Sequence, residues 1–174
     1  LGFFRVPLRR ENATKLALLA EVLQKGTEKY PSVTAVAAAA EECYGALWQV
    51  QIIKKGGEAW LSFSMEVSKH VSEKEVLDFL LQLMKHPKRI ENQFPAETVE
   101  RCKVILRRRL EAQADDKISF AAKRARELAA EDEGAGICAD GYLEDLAKLT
   151  TADISSFYED VLAHAPVYLY VCGD

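Results

Sequence analysis

The chain has 174 residues, of which 49% are hydrophobic and 29% charged, and a net charge of -4. That length can bury one sizeable core without disulfides or metals, so a single domain is expected. The acidic balance gives no electrostatic case for nucleic acid or an anionic membrane, and no apolar run reaches the ~18 residues of a bilayer span. The cysteines, Cys43, Cys102, Cys138 and Cys172, form no Cys-x-x-Cys pair. Reduced, mostly buried thiols in a cytoplasmic protein are the reading.

Gly2 to Leu8 reads as a short strand, with Pro7 confining it to a strand end or an edge. Glu11 to Pro31, ENATKLALLAEVLQKGTEKYP, reads as an amphipathic helix running into a polar turn. Leu16, Leu19 and Leu23 recur at helical spacing, with Leu18 and Val22 widening the apolar face. Asn12 is the expected N-cap, and Gly26 follows the last periodic residue. Ser32 is placed to cap a second helix that runs through an alanine tract to Glu42 and ends at Gly45.

Two alternating segments follow, Trp48 to Ile52 and Leu61 to Val67, with the period of two of a half-buried sheet. Gly56-Gly57 between them is a hairpin signal, and it suggests that Trp48 and Trp60 face each other. Ser72 and Glu75 stand at capping-box spacing ahead of a helix that buries Val76, Leu77, Leu80, Leu81 and Met84 and stops at His86-Pro87. A long helix begins near Pro95 and passes Val99, Cys102, Ile105, Leu106 and Leu110. It breaks near Asp115-Asp116, resumes with Ser119 as a local cap, and ends at Gly134-Ala135-Gly136. A short helix spans Tyr142 to Leu149. Thr150 and Asp153 box the next, whose stripe is Ile154, Phe157, Val161 and Leu162. Pro166 breaks it, and Val167 to Cys172 is a last strand that stops at Gly173. The order predicts an α+β fold, with an antiparallel or mixed sheet covered on one face by helices.

The phrase Lys25-Gly26-Thr27-Glu28-Lys29-Tyr30-Pro31 resembles the run that follows the zinc helix of the insulinase, pitrilysin and mitochondrial processing peptidase family. The Gly45 to Val67 hairpin, the Pro95 to Asp116 helix and the closing Val167 to Asp174 strand fall in that family's order. The resemblance implies the N-terminal structural half of a longer two-half chain, a reading that suits a sequence beginning without Met. The family's zinc helix reads His-x-x-Glu-His. Laid on Lys25-Gly26-Thr27, its histidine positions fall on Ala17 and Glu21, and its catalytic glutamate position on Ala20. The third ligand, a glutamate of the long helix, falls near Arg108. Histidines four apart grip Zn²⁺ from one helix face, and a glutamate between them activates its water. Alanine has no donor atom, one carboxylate makes no zinc site, and arginine cannot ligate zinc.

The resemblance therefore implies a peptidase scaffold without metal, cofactor or catalytic residues, closest to bacterial members without zinc ligands. Its expected partners are a homologous subunit, its own second half, and extended peptides added to a sheet edge. Two alternatives stand beside this reading. One is a zinc peptidase with a non-standard site, built for instance from Glu21, Glu111 and a histidine. The other is an accessory factor in translation elongation factor P modification, implied by the resemblance to that zinc-free subgroup. His70, His86 and His164 show no motif spacing. Arg101, Lys103, Arg107, Arg108 and Arg109 read as a solvated helix face paired with Glu100 and Glu111.

Overall fold

The computed structural model describes residues 1–113, 115–130 and 134–172, with their side chains except those of Ser119 and Arg126. The cap expected at Ser119 and the strand stop expected at Gly173 lie outside that description. In chain order the elements are β1 (Gly2–Pro7), α1 (Arg10–Val22), α2 (Val33–Glu42), β2 (Leu47–Lys55), β3 (Glu58–Glu66), α3 (Glu73–Lys85), α4 (Ala96–Ala112) and α5 (Lys117–Ala129). A 3-10 turn at Gly134–Gly136, α6 (Leu143–Leu146), α7 (Thr151–His164) and β4 (Val167–Leu169) complete them. The sheet runs β2-β3-β1-β4, and every pair is antiparallel. The fold is the expected α+β, with the antiparallel alternative realised.

The hairpin turns on Gly56-Gly57, so Lys55 pairs with Glu58 and Ile53 with Trp60. The same register sets Trp48 against Met65, so the expected Trp48–Trp60 pair does not form. A two-residue turn gives each pair one odd and one even position, which two even-numbered tryptophans cannot satisfy. Trp48 instead packs on Phe79, and Trp60 lies on the other face of the sheet between Phe3 and Tyr168. The inward positions Phe4, Val6, Val50, Leu61, Phe63 and Met65 join the buried sides of the helices in one core.

α1 is the most buried helix, with Leu16, Leu18 and Leu19 wholly inside. Burying each such leucine contributes about 1.5–3 kcal/mol of transfer free energy. Its first turn starts earlier than the sequence suggested. Asn12 is the third helical residue, not the N-cap, and its Oδ1 accepts from the Arg9 N–H at 2.9 Å while its Nδ2 donates to Pro7 O at 2.8 Å. The capping boxes at Ser72/Glu75 and Thr150/Asp153 form as predicted, and Ser32 caps α2. α3 buries Phe79 and Leu83 beside Leu80 and Met84, while the expected Leu81 faces solvent. On α7, Tyr158 rather than Phe157 fills the core, and its hydroxyl donates to Met84 O at 3.1 Å. β4 is shorter than expected, and Tyr170 to Cys172 lie beyond it.

Candidate functional site

Thr14, Ala17 and Glu21 share one face of α1, since residues three, four and seven apart stack on a helix. That face is turned to α4 and to the segment entering α6. At its far end Glu21 is held by two cations. Arg109 of α4 donates through Nη1 to Glu21 Oε1 at 2.5 Å, and Lys25 Nζ lies 4.0 Å from Oε2. The Glu21 side chain is only 13% exposed, against 46% for Arg109. Below this pair the Cys102 thiol is pushed up to about 11, chiefly by burial, with Lys25 pulling it down and Glu21 pushing it further up. Ala17 and Ala20 are buried within the core.

The near end of the face is closed by the chain before and within α6. Thr14 Oγ1 accepts from the Tyr142 N–H at 3.0 Å. Gly141 makes this approach possible. Its φ is +86°, and a Cβ there would stand 2.8 Å from Thr14 Cα. Arg10 pairs with Glu144 and Asp145 and lays its guanidinium 3.5 Å from the centre of the Tyr142 ring. The polar groups of this α1 face are thus satisfied from within the chain, by hydrogen bonds and ion pairs.

These residues do not fit a zinc ion. A tetrahedral site needs three or four nitrogen, sulfur or oxygen donors around one point. Two of the four positions are alanines, and the carboxylate is occupied by a guanidinium. Among the described residues no three of His, Cys, Asp and Glu are grouped to hold a metal. The histidines are dispersed: His70 lies beside Tyr44, His86 beside Glu28, and His164 beside Asp160. Glu111 is exposed.

Ala17, Ala20 and Glu21 come together as their spacing requires, whereas Arg108 faces solvent and its neighbour Arg109 meets Glu21. The expected solvated basic face is divided. Arg101 pairs with Glu97 one turn back, and Arg109 crosses to α1. Lys103 is buried, donating to Leu149 O at 2.9 Å and pairing with Glu100 at 3.1 Å. Arg109 was expected to pair within its own helix, and its partner on α1 was missed. The signal was the stripe Cys102, Leu106, Leu110, which places residue 109 beside the buried face and residue 108 away from it.

No family model matches the chain. The "Probable inactive metalloprotease YmfF" of Bacillus subtilis (strain 168) is 25% identical over 175 residues, covering 97% of this chain and 41% of that protein. A conserved protein from Enterococcus faecalis V583 has a TM-score of 0.85 at 29% identity, over 95% of this chain and 41% of the other. The peptidase M16 inactive domain from Pseudomonas fluorescens has a TM-score of 0.66 at 19% identity, over 90% of this chain and 37% of that one, and so shows the fold alone. The chain spans about two-fifths of the length of these relatives. Together they match the half-domain read from the sequence, one without the zinc motif.

Proposed function

We propose that this insulinase-family half is catalytically silent and works as a structural or peptide-holding unit, beside an active homologue, its own second half, or both. The observation that carries the proposal is the Arg109 guanidinium on Glu21. A zinc peptidase needs an open coordination position and a carboxylate able to take a proton from the metal-bound water. Here Glu21, at the second histidine position, is committed to a cation, and Ala17 and Ala20, read as replacing the first histidine and the catalytic glutamate, carry no donor. The proposed half needs no cofactor.

Holding a peptide requires none of that chemistry. β2 ends the sheet, and among the described residues no strand pairs with its outer edge, where Leu47 is exposed at its start. An extended peptide can add there as a further strand, bound through main-chain hydrogen bonds. Relatives of which this chain spans 41% support a second half that would pack beside it.

The test uses the full-length protein purified without a histidine tag. Elemental analysis is expected to give no stoichiometric zinc, and peptide cleavage assays no chelator-sensitive activity. One zinc per chain with chelator-sensitive cleavage would overturn the silent reading. Added extended peptide should slow amide exchange in β2, and unchanged exchange there would remove the peptide-holding role. A monomer that co-purifies with no homologous subunit, and has no second half, would remove the partner role.

A further inference from the structure

β4 forms the other end of the sheet, and among the described residues no strand pairs with its outer edge. On its inner side Tyr170 exchanges two hydrogen bonds with Leu1, each 2.8 Å, and the Arg5 N–H donates to Pro166 O at 3.0 Å. In an antiparallel ladder, residues alternate in the direction of their backbone groups. Pro166, Tyr168 and Tyr170 are thus turned to β1, while Val167, Leu169 and Val171 aim their N–H and C=O groups off the edge. The side chains are exposed as well, from 43% at Tyr168 to 62% at Val171. No charge or proline interrupts the run Val167-Tyr168-Leu169-Tyr170-Val171, although these are common devices that keep an edge strand from pairing.

That run reads the same in both directions. Laid antiparallel on a second copy about Leu169, it sets Val on Val, Tyr on Tyr and Leu on Leu. The hydrogen-bonding phase agrees. A two-fold axis at Leu169 makes Leu169–Leu169 and Val167–Val171 the pairs that exchange hydrogen bonds, and those residues are the ones whose groups point outward. Tyr168 of one copy then stands opposite Tyr170 of the other in a non-hydrogen-bonded pair, where side chains lie closest. Trp60 packs on Tyr168 at 5.5 Å, with Phe3 beyond it, so the new pairs extend an aromatic face already formed. We propose that β4 is a dimer edge, joining two copies of this protein by an antiparallel β4–β4 pairing centred on Leu169 into one eight-stranded sheet. Within the pairing no charge of one copy meets a like charge of the other. Pairing β4 with β2 of another copy would run on into a filament, whereas β4 on β4 closes at two chains. A strand matched to a different partner gains nothing from reading alike in both directions. The pairing needs neither a metal nor a bound peptide.

The test is sedimentation equilibrium of the full-length protein across the micromolar range, because a five-residue edge buries little area and associates weakly. A two-chain species is expected. Leu169→Lys sets two ammonium groups against each other at the axis and should weaken that species at least about tenfold, with the far-UV spectrum unchanged. In a Cys172→Ser background, mild oxidation should link Leu169→Cys to its own copy, since a disulfide spans the about 5.5 Å between Cα atoms of a hydrogen-bonded pair. Val167→Cys and Val171→Cys should each stay unlinked alone and link when combined in one chain, which reads out the register. A monomer at every concentration would overturn the pairing, and resistance of Leu169→Cys to thiol labelling in that monomer would assign the edge to the protein's own second half. A dimer that Leu169→Lys leaves intact, or linking by Val167→Cys alone equal to that of Leu169→Cys, would overturn it too.

Discussion

Replacing Arg109 by Met keeps a long apolar stem over α1 and removes only the charge that meets Glu21. Exposed ion pairs contribute about 0.2–1 kcal/mol, while breaking a fully buried one costs about 3–5 kcal/mol. This pair lies between those limits, with Glu21 13% exposed and Arg109 46%. Lys25, 4.0 Å away, partly compensates the carboxylate that is left. The expected loss is about 1–2 kcal/mol, which lowers the Tm of a domain this size by about 3–6 °C. Urea and thermal unfolding measure it, and a double-mutant cycle with Glu21→Gln should return a coupling of about 1 kcal/mol. Arg108→Met serves as the neighbouring control and should stay within about 0.5 kcal/mol of the parent. A coupling near zero, or equal losses at Arg108 and Arg109, would refute the argument that this ion pair takes the place of a metal.

Ser155→Ala should cost about 1–3 kcal/mol in chemical unfolding, because it orphans the buried Phe94 N–H now bonded at 3.0 Å. Gly141→Ala combines a clash with Thr14 and a φ of +86°, and a loss of about 2 kcal/mol or more is expected, so a neutral result would disprove the close approach. Thiol labelling of native protein at pH 8 should modify the exposed Cys172 first and Cys102 only as fast as the protein unfolds. Equal rates at the two sites would count against the buried thiol. Glu75 and Asp153 are held below their ordinary values by hydrogen bonds from Ser72 and Thr150. Their stabilisation is therefore complete above the ordinary carboxylate values and is lost as pH falls through the lowered ones. Glu75→Gln combined with Asp153→Asn should flatten the acid limb of the stability curve below about pH 4, and an unchanged limb would assign acid unfolding to other groups.

Local chemistry made much of this fold legible. Gly56-Gly57, Ser72/Glu75 and Thr150/Asp153 each act over a few residues, and each forms as read. The errors lie where a choice depends on something distant. Asn12 offers a side chain suited to capping, but the chain direction leaving Pro7 moves the helix start back to Arg10. Leu81 and Leu83 are equally apolar, and only the packing of α3 on the sheet decides which is buried. At the candidate site, the loss of donors at Ala17 and Ala20 can be read from composition. That a cation would satisfy Glu21 follows from its burial, which sequence does not display. The pairing of Lys123 on α5 with Asp140, 3.5 Å apart, joins two segments that neither periodicity nor motif connects.

Of the four strands of this sheet β1 is made first, yet it lies inside the sheet, between β3 and β4, which is made last of the four. Leu1 and Tyr170 exchange backbone hydrogen bonds across 169 residues of sequence. At about 5–20 residues per second, a ribosome takes roughly 10–30 s to deliver that partner. For that interval β1 presents a bare hydrogen-bonding edge to every other nascent chain. Folding must wait for the closing strand, and the waiting edge is where a chaperone would be needed first.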